Sequence, residues 1–279
     1  MNRIDATFKK LKAARHKAFI PYIMAGDPSP EKTRGTVLLL EKCGADIVEL
    51  GVPFTDPLAD GPTIQRAAER ALQAGVTLRT VIDIVRDLRK DTRIPLVLMT
   101  YYNPIFKYGE EQFVRDAVDA GVDGVIIPDL PPDEAGGLLR LSKRAGLAIV
   151  FLLAPTSTAE RVKKVAKATR GFLYYVSMTG ITGGKILLDS SIRNSIDMIR
   201  NITDKPIAVG FGIATPEEAR SVSEFADAVI VGSAIVKRLH ASPESLESYI
   251  IQLRSAIDNN QELAGGSQES PEAINGKNR

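Results

Sequence analysis

Eight short apolar runs, rich in β-branched residues, recur along the chain with helical spacing between them. They are Ala18 to Ala25, Ile47 to Gly51, Leu96 to Tyr101, Val125 to Pro128, Ile149 to Leu153, Phe172 to Ser177, Ile207 to Gly210 and Val229 to Gly232. Strands that alternate with amphipathic helices build parallel sheets, and eight such units argue for a single closed (β/α)8 barrel. Helix starts fall where this reading needs them: Ser29-Pro30-Glu31, Ser157 or Thr158 before Ala-Glu-Arg-Val, and Thr215-Pro216-Glu217-Glu218. A doubly wound open sheet is the alternative. It would more often carry a glycine-rich dinucleotide loop after its first strand, and Gly26-Asp-Pro-Ser is not one.

A weak internal echo supports repeated βα units. Gly44-Ala-Asp-Ile-Val-Glu-Leu, Gly121-Val-Asp-Gly-Val-Ile-Ile and Phe225-Ala-Asp-Ala-Val-Ile-Val each end a helix, set Asp before a strand and then run apolar. Extra helices are predicted at both ends, over Ile4 to Leu11 and Pro243 to Asp258. Residues 1–258 are thus read as one catalytic domain, and residues 259–279, which lack periodicity, as a disordered tail.

With 279 residues, 44% of them hydrophobic, the chain can bury a core of the size such a barrel needs. Its formal charge of +2, with no basic cluster interleaved with aromatics, argues against nucleic acid or an anionic membrane as partner. The first ten residues hold no apolar signal region, and no run approaches the roughly 20 apolar residues of a membrane span, so a cytoplasmic protein is expected. Cys43 is alone, which excludes an internal disulfide; near the end of a helical pattern it reads as a small buried thiol.

Catalytic residues of this architecture come from the carboxyl ends of the strands and the loops that follow. Across all eight runs there is no Lys, Arg, His, Cys or Asp, and one Glu, Glu49. A Schiff-base aldolase would need a desolvated lysine and a zinc-dependent one a set of ligands, yet the two histidines, His16 and His240, lie in terminal helical regions. Both mechanisms are disfavoured, and no metal is expected. Carboxylate acid–base chemistry by Glu49 remains, assisted by Asp60 or Asp56 on the next loop and by the hydroxyl of Tyr174 or Tyr175. An unpaired ionised carboxylate is too costly to bury idly, so Glu49 must have a raised pKa, a role in proton transfer, or a structural partner such as an arginine beneath the barrel.

Three glycine-bearing turns follow the last three runs: Ser177-Met-Thr-Gly-Ile-Thr-Gly-Gly184, Gly210-Phe-Gly-Ile213 and Gly232-Ser-Ala-Ile235. Glycine lets main-chain N–H groups approach an anion, and a helix opened by Ser233 would point its dipole at one. With no Walker pattern, a phosphorylated small molecule is expected rather than a nucleoside triphosphate.

The strings Glu49-Leu-Gly-Val-Pro-Phe-Thr-Asp-Pro-Leu-Ala-Asp-Gly-Pro62, Tyr101-Tyr-Asn-Pro104, Pro128-Asp-Leu-Pro131, Ser177 to Gly183, Gly210-Phe-Gly-Ile213 and Gly232-Ser-Ala-Ile-Val236 resemble those of the tryptophan synthase alpha chain, in that family's order and across Phe19 to Val236. The resemblance implies a lyase of tryptophan biosynthesis that cleaves indole-3-glycerol phosphate to indole and D-glyceraldehyde 3-phosphate. It implies no cofactor in this chain and a pyridoxal-phosphate-containing beta chain as partner in an alpha2beta2 heterotetramer. Carried onto matching positions, Glu49 is the general acid/base and Asp60 binds the indole N–H. Phosphate contacts fall on Gly183, Gly212, Gly232 and Ser233, Tyr174 is the active-site tyrosine, and Thr182 lies on the loop after the sixth strand. Tyr22, Met99, Ile126, Leu152, Phe211 and Ile230 match ring-binding positions, and Pro53, Asp56 and Asn103 match partner-facing ones. The family often has Phe where this chain has Tyr22, and some members have Arg at Met178, to which no role is given. A free-standing lyase, a catalytically silent barrel and a phosphosugar isomerase are the other readings; intact Glu49 and Asp60 oppose the second, and the string after Glu49 opposes the third.

Overall fold

The computed structural model describes residues 2–176, 190–210 and 212–259. Nine strand segments run parallel: β1 Ala18–Met24, β2 Val48–Gly51, β3 Leu96–Met99, β4 Gly124–Ile126, β5 Ala148–Val150, β6 Leu152–Leu153, β7 Leu173–Val176, β8 Ile207–Gly210 and β9 Ala228–Val231. Their order, β5-β4-β3-β2-β1-β9-β8-β7-β6, has two ends that are one strand. Only Phe151 separates β5 from β6; β5 pairs with β4 and β6 with β7, and the Phe151 carbonyl accepts the Tyr174 N–H at 3.2 Å. The ring closes there. All eight predicted strands are present, the fifth in two pieces.

Helices α1 Arg3–Ala14 and α12 Leu246–Asp258 are the two terminal ones expected, with Pro243–Ser245 as a 3-10 turn ahead of the second. Between strands lie α2 Pro30–Lys42, α3 Pro62–Gln73, α4 Leu78–Leu88, α5 Tyr102–Tyr108, α6 Glu110–Ala120, α7 Gly136–Ala145, α8 Ala159–Ala168, α9 Ser190–Arg200 and α10 Pro216–Ser223, and α11 Ser233–Ala241 follows β9. Ser29 and Thr215 cap α2 and α10 as read from sequence. Of the alternatives for α8, Thr158 is the cap, while the Ser157 hydroxyl accepts the Ala154 N–H instead. The crossovers after β2 and β3 each hold two helices.

Apolar side chains form two layers. One lies between strands and helices; the other fills the barrel with Ile20, Ile47, Val97, Ile126, Val150, Phe172 and Ile230. Ile4 and Phe8 of α1 join the inner layer, and the Phe8 and Phe172 ring centroids are 5.7 Å apart. Helix α1 therefore plugs the amino-terminal end. Cys43 caps the end of α2 as a buried thiol.

The repeated aspartates have one physical job. Asp46, Asp123 and Asp227 accept the N–H of the first or second residue of the preceding barrel strand, from Phe19, Leu96 and Ile207, at 2.8–2.9 Å. Each also pairs with an arginine: Arg254, Arg89 and Arg200 respectively. Asp123 is the most enclosed and takes a second arginine, Arg3 from the plug helix, at 2.8 Å. These staples lie at the amino-terminal face, where barrels place stability rather than chemistry.

Candidate active site

At the carboxyl end the last inward side chains, Met99, Leu152 and Val176, are partly exposed, so the barrel opens there. Two tyrosines shape that mouth. Tyr22 of β1 sits in register with Glu49, and a methyl group placed on Gly51 would lie 2.1 Å from its hydroxyl. Tyr174 of β7 does the same across Gly210 of β8, where the added methyl would be 2.7 Å from its hydroxyl. Both rings lean one pleat towards the mouth into space that glycine on the next strand leaves open. Of the two tyrosines considered on β7, Tyr174 lines the interior and Tyr175 belongs to the layer under the helices.

Glu49 is completely buried, and neither carboxyl oxygen has a hydrogen-bond partner among the described residues. Burial first, and then the Asp60 charge, push its pKa from an ordinary 4.5 up to about 8. Glu49 thus holds its proton at neutral pH. The structural alternative, an arginine partner beneath the barrel, is not met: among the described residues no arginine bonds or pairs with Glu49.

Asp60 follows β2 on the loop into α3, and burial raises its pKa as well. A hydrogen bond from the Tyr101 hydroxyl works the other way and favours the carboxylate. The same hydroxyl accepts the Ala59 N–H at 2.9 Å, and the Tyr101 ring lies against Phe54 with centroids 5.3 Å apart. Tyr101 therefore latches the loop at two consecutive residues. Sequence reading did not single it out; its place at the end of the third apolar run, facing the loop after β2, was the available signal. Arg70 of α3 also grips the buried Asp27 with two bonds of 2.7 and 2.8 Å, tying this loop's helix to the loop after β1. Asp56, the other loop aspartate considered, is exposed and bonded to the Thr55 hydroxyl, so Asp60 is the carboxylate placed with Glu49.

Tyr22 and Tyr174 stay protonated, since burial and then the two carboxylates raise both well above the usual phenol value. Ile126 and Ile230 belong to the barrel interior, and Met99 and Leu152 stand at its rim. Gly212 has φ +77°, a conformation glycine favours. Gly232 precedes α11, whose first turn has neither a capping side chain nor an acidic residue, so its N–H groups are free to meet an anion. The helix opened by Ser233 runs nine residues. Thr182, Gly183 and Phe211, with Ser177 and Met178, lie outside the described residues. Among the described residues no group of three or more His, Cys, Asp or Glu side chains could hold a metal ion, and no helix is long and apolar enough to cross a membrane.

A protonated buried carboxyl and a latched second carboxylate, at the mouth of a barrel closed at its other end, set this chain among (β/α)8 enzymes that work by acid–base catalysis. Residues 8–265 match the family model of the tryptophan synthase alpha chain. The alpha chain of Geotalea daltonii is 49% identical over 258 residues, spanning 92% of this chain and 98% of that one. That of Geobacter sulfurreducens is 49% identical over 264 residues, spanning 93% and 100%. Among solved structures, the alpha subunit from Legionella pneumophila superposes with a TM-score of 0.87 at 43% identity, covering 93% of this chain and 99% of that one. Tryptophan synthase from M. tuberculosis, in its aminoacrylate-bound form, gives 0.84 at 34% identity, covering 92% and 100%. The chain belongs to the tryptophan synthase alpha-chain family, and it is a lyase that cleaves indole-3-glycerol phosphate.

Proposed function

We propose that Glu49 and Asp60 perform this cleavage between them, and the observation that carries the proposal is a wholly buried Glu49 with no hydrogen-bond partner among the described residues and a pKa of about 8. Indole is a poor leaving group as a C3 carbanion. Protonation of C3 by Glu49 turns the ring into an indolium whose nitrogen can take up the bond electrons. The ionised Glu49 then takes the proton of the adjacent glycerol hydroxyl, the C3–carbon bond breaks, and the electrons return the ring to neutral indole while the side chain leaves as the aldehyde. The proton given and the proton taken balance. Asp60, favoured as carboxylate by Tyr101, accepts the ring N–H and stabilises the positive charge that develops there.

Tyr22, Met99, Ile126, Leu152, Phe211 and Ile230 would form the apolar slot, with Tyr174 beside Glu49 and Thr182 closing on Asp60. Gly183, Gly212, Gly232 and Ser233 would hold the phosphate, supported by the uncapped start of α11. No step calls for a cofactor in this chain; pyridoxal phosphate belongs to the beta partner. Docking of that partner at the barrel mouth is supported by two large apolar side chains, Leu58 (83% exposed) on the loop that carries the exposed Asp56, and Phe106 (66%) on α5 with the exposed Asn103. Pro53 is buried and would act through the shape of its loop. A cytoplasmic location fits the free thiol of Cys43.

The test is to incubate the chain with indole-3-glycerol phosphate, with and without a beta chain, and measure indole and triose phosphate. Glu49→Gln should bind substrate and lose cleavage. Substantial turnover by that variant, or no indole from the native chain under either condition, would overturn the assignment.

A further inference from the structure

A second cavity of about 590 Å³ opens on the outside of the barrel between α7 and α8, over strand β5. Its volume lies within the ~300–1,000 Å³ typical of small-molecule sites. Three observations give it a chemistry. Five cations line it, Lys143, Lys164, Lys167, Arg170 and Lys205, against one carboxylate, Asp133. That local excess is larger than the +2 carried by the entire chain. Asp133 is already shared between Arg161 and Lys164 at 3.7 Å, and Lys143, Lys167, Arg170 and Lys205 have no ion pair among the described residues. Like charges gathered in a concave, partly apolar site raise a positive potential that an anion would relieve.

The second observation is independent of charge. Ser142 on α7 and Thr169 at the end of α8 both line the cavity, both are 1% exposed, and neither hydroxyl has a hydrogen-bond partner among the described residues. Leaving a buried hydroxyl unbonded costs on the order of 1–3 kcal/mol, so these two, enclosed in the cavity wall, would each gain from a ligand oxygen once a side-chain rotation turns them to it. The third is an apolar floor of Leu139, Leu147 and Ile149. We infer that this groove is a binding site for a small organic anion, a carboxylate or phosphate on a compact apolar body. The anionic group meets the cations at the rim and the two hydroxyls, and the body rests on the floor. Thr169, Arg170 and Lys205 precede the first residues of β7 and β8, so the site lies towards the end of the barrel opposite Glu49 and does not depend on the roles given to the catalytic residues.

The probe is 8-anilinonaphthalene-1-sulfonate, an anion on an apolar body, with uncharged N-phenyl-1-naphthylamine as control, titrated into the full chain. Amide chemical shifts locate where it binds. We expect one saturable site, with shifts at Ser142, Leu147, Thr169 and Arg170. Charge reversal in Lys167→Glu/Arg170→Glu should weaken it about tenfold or more, in line with loss of two favourable charge contacts, and leave indole-3-glycerol phosphate cleavage unchanged. Thr169→Val, which keeps the shape and removes the hydroxyl, should weaken the probe several-fold without lowering the melting temperature. Failure of the probe to saturate, shifts confined to the barrel mouth, equal affinity for the uncharged dye, or indifference to the charge reversal would each overturn the inference.

Discussion

Replacing Glu49 by Gln should make the unliganded protein more stable, and by an amount that depends on pH in a way only a buried, proton-holding carboxyl can produce. In the unfolded chain Glu49 ionises around 4.5; in the folded protein it keeps its proton until about pH 8. Between those values the folded state binds more protons than the unfolded state, so the stability of the native chain falls as pH rises, by about 1.4 kcal/mol per pH unit. Below 4.5 both states are protonated and the effect is absent; above 8 both are ionised and the full cost remains. Worked from the shift, that cost is about 3 kcal/mol at pH 7 and about 5 kcal/mol above pH 8. Glutamine is neutral throughout and nearly the same shape. The gap between Glu49→Gln and native protein should therefore be small at pH 5, and at pH 7 reach several degrees of melting temperature, at roughly 2 °C per kcal/mol for a chain of this size. Paired calorimetric scans at pH 5.5, 7 and 8.5 measure it. A gap that stays constant across that range would refute the reasoning, because Glu49 would then have the same pKa folded and unfolded. The same proton sets catalysis: kcat/KM should decline as pH rises through about 8, where free enzyme loses its general acid.

Tyr101→Phe removes the latch on Ala59 and Asp60 while keeping the ring against Phe54; kcat/KM should fall about tenfold, the weight of one or two hydrogen bonds, with little change in melting temperature, and steady-state kinetics beside a thermal scan would separate the two. Gly232→Ala adds a methyl whose nearest neighbour is the Tyr22 Cβ at 3.4 Å, so the fold should tolerate it; if phosphate sits at this turn, KM should rise well before stability changes, and an unaltered KM would remove Gly232 from the cradle. Asp123→Ala strands Arg3 and Arg89 and frees the Leu96 N–H. Breaking such a buried network should cost about 3–5 kcal/mol in urea unfolding, yet leave kcat of the folded fraction intact.

Every strand and both terminal helices could be read from the sequence, because each depends on a local pattern: an apolar run, a cap, a period. Three things escaped. The break at Phe151 depends on closure of the ring, which decides that β5 pairs on one side and β6 on the other. The tyrosine–glycine contacts, Tyr22 over Gly51 and Tyr174 over Gly210, join neighbours far apart in sequence, and a lone glycine in an apolar run gives no sign of what fills its space. Tyr101 was hidden for the same reason, since its partners Ala59 and Asp60 lie about forty residues earlier. Charge was legible in both places. The one glutamate in eight apolar runs is the buried carboxyl proposed to act, while the thrice-repeated aspartate before a strand read only as a repeat and is structural in the fold.

That pair of carboxylate types shows how the barrel divides its two ends. Asp123 accepts hydrogen bonds from two arginines and a strand N–H, and this network fastens the plug helix to the strands. Glu49, on β2 two strands away, has no such partner among the described residues, although a glutamate on that strand could have been given an arginine as easily. Supplying one would stabilise the carboxylate and pull its pKa down, and a group ionised at neutral pH cannot protonate carbon. On the proposed mechanism an acid there has to remain unsatisfied, and the roughly 3 kcal/mol lost at pH 7 is a consequence of that requirement. The three stapled aspartates at the opposite face help the fold tolerate the loss. Introducing an arginine at Val97, the residue in register with Glu49 on β3, should therefore lower the Glu49 pKa and abolish cleavage in whatever fraction folds; retained turnover with an acid-shifted Glu49 would show that the proton on this residue is not what the reaction uses.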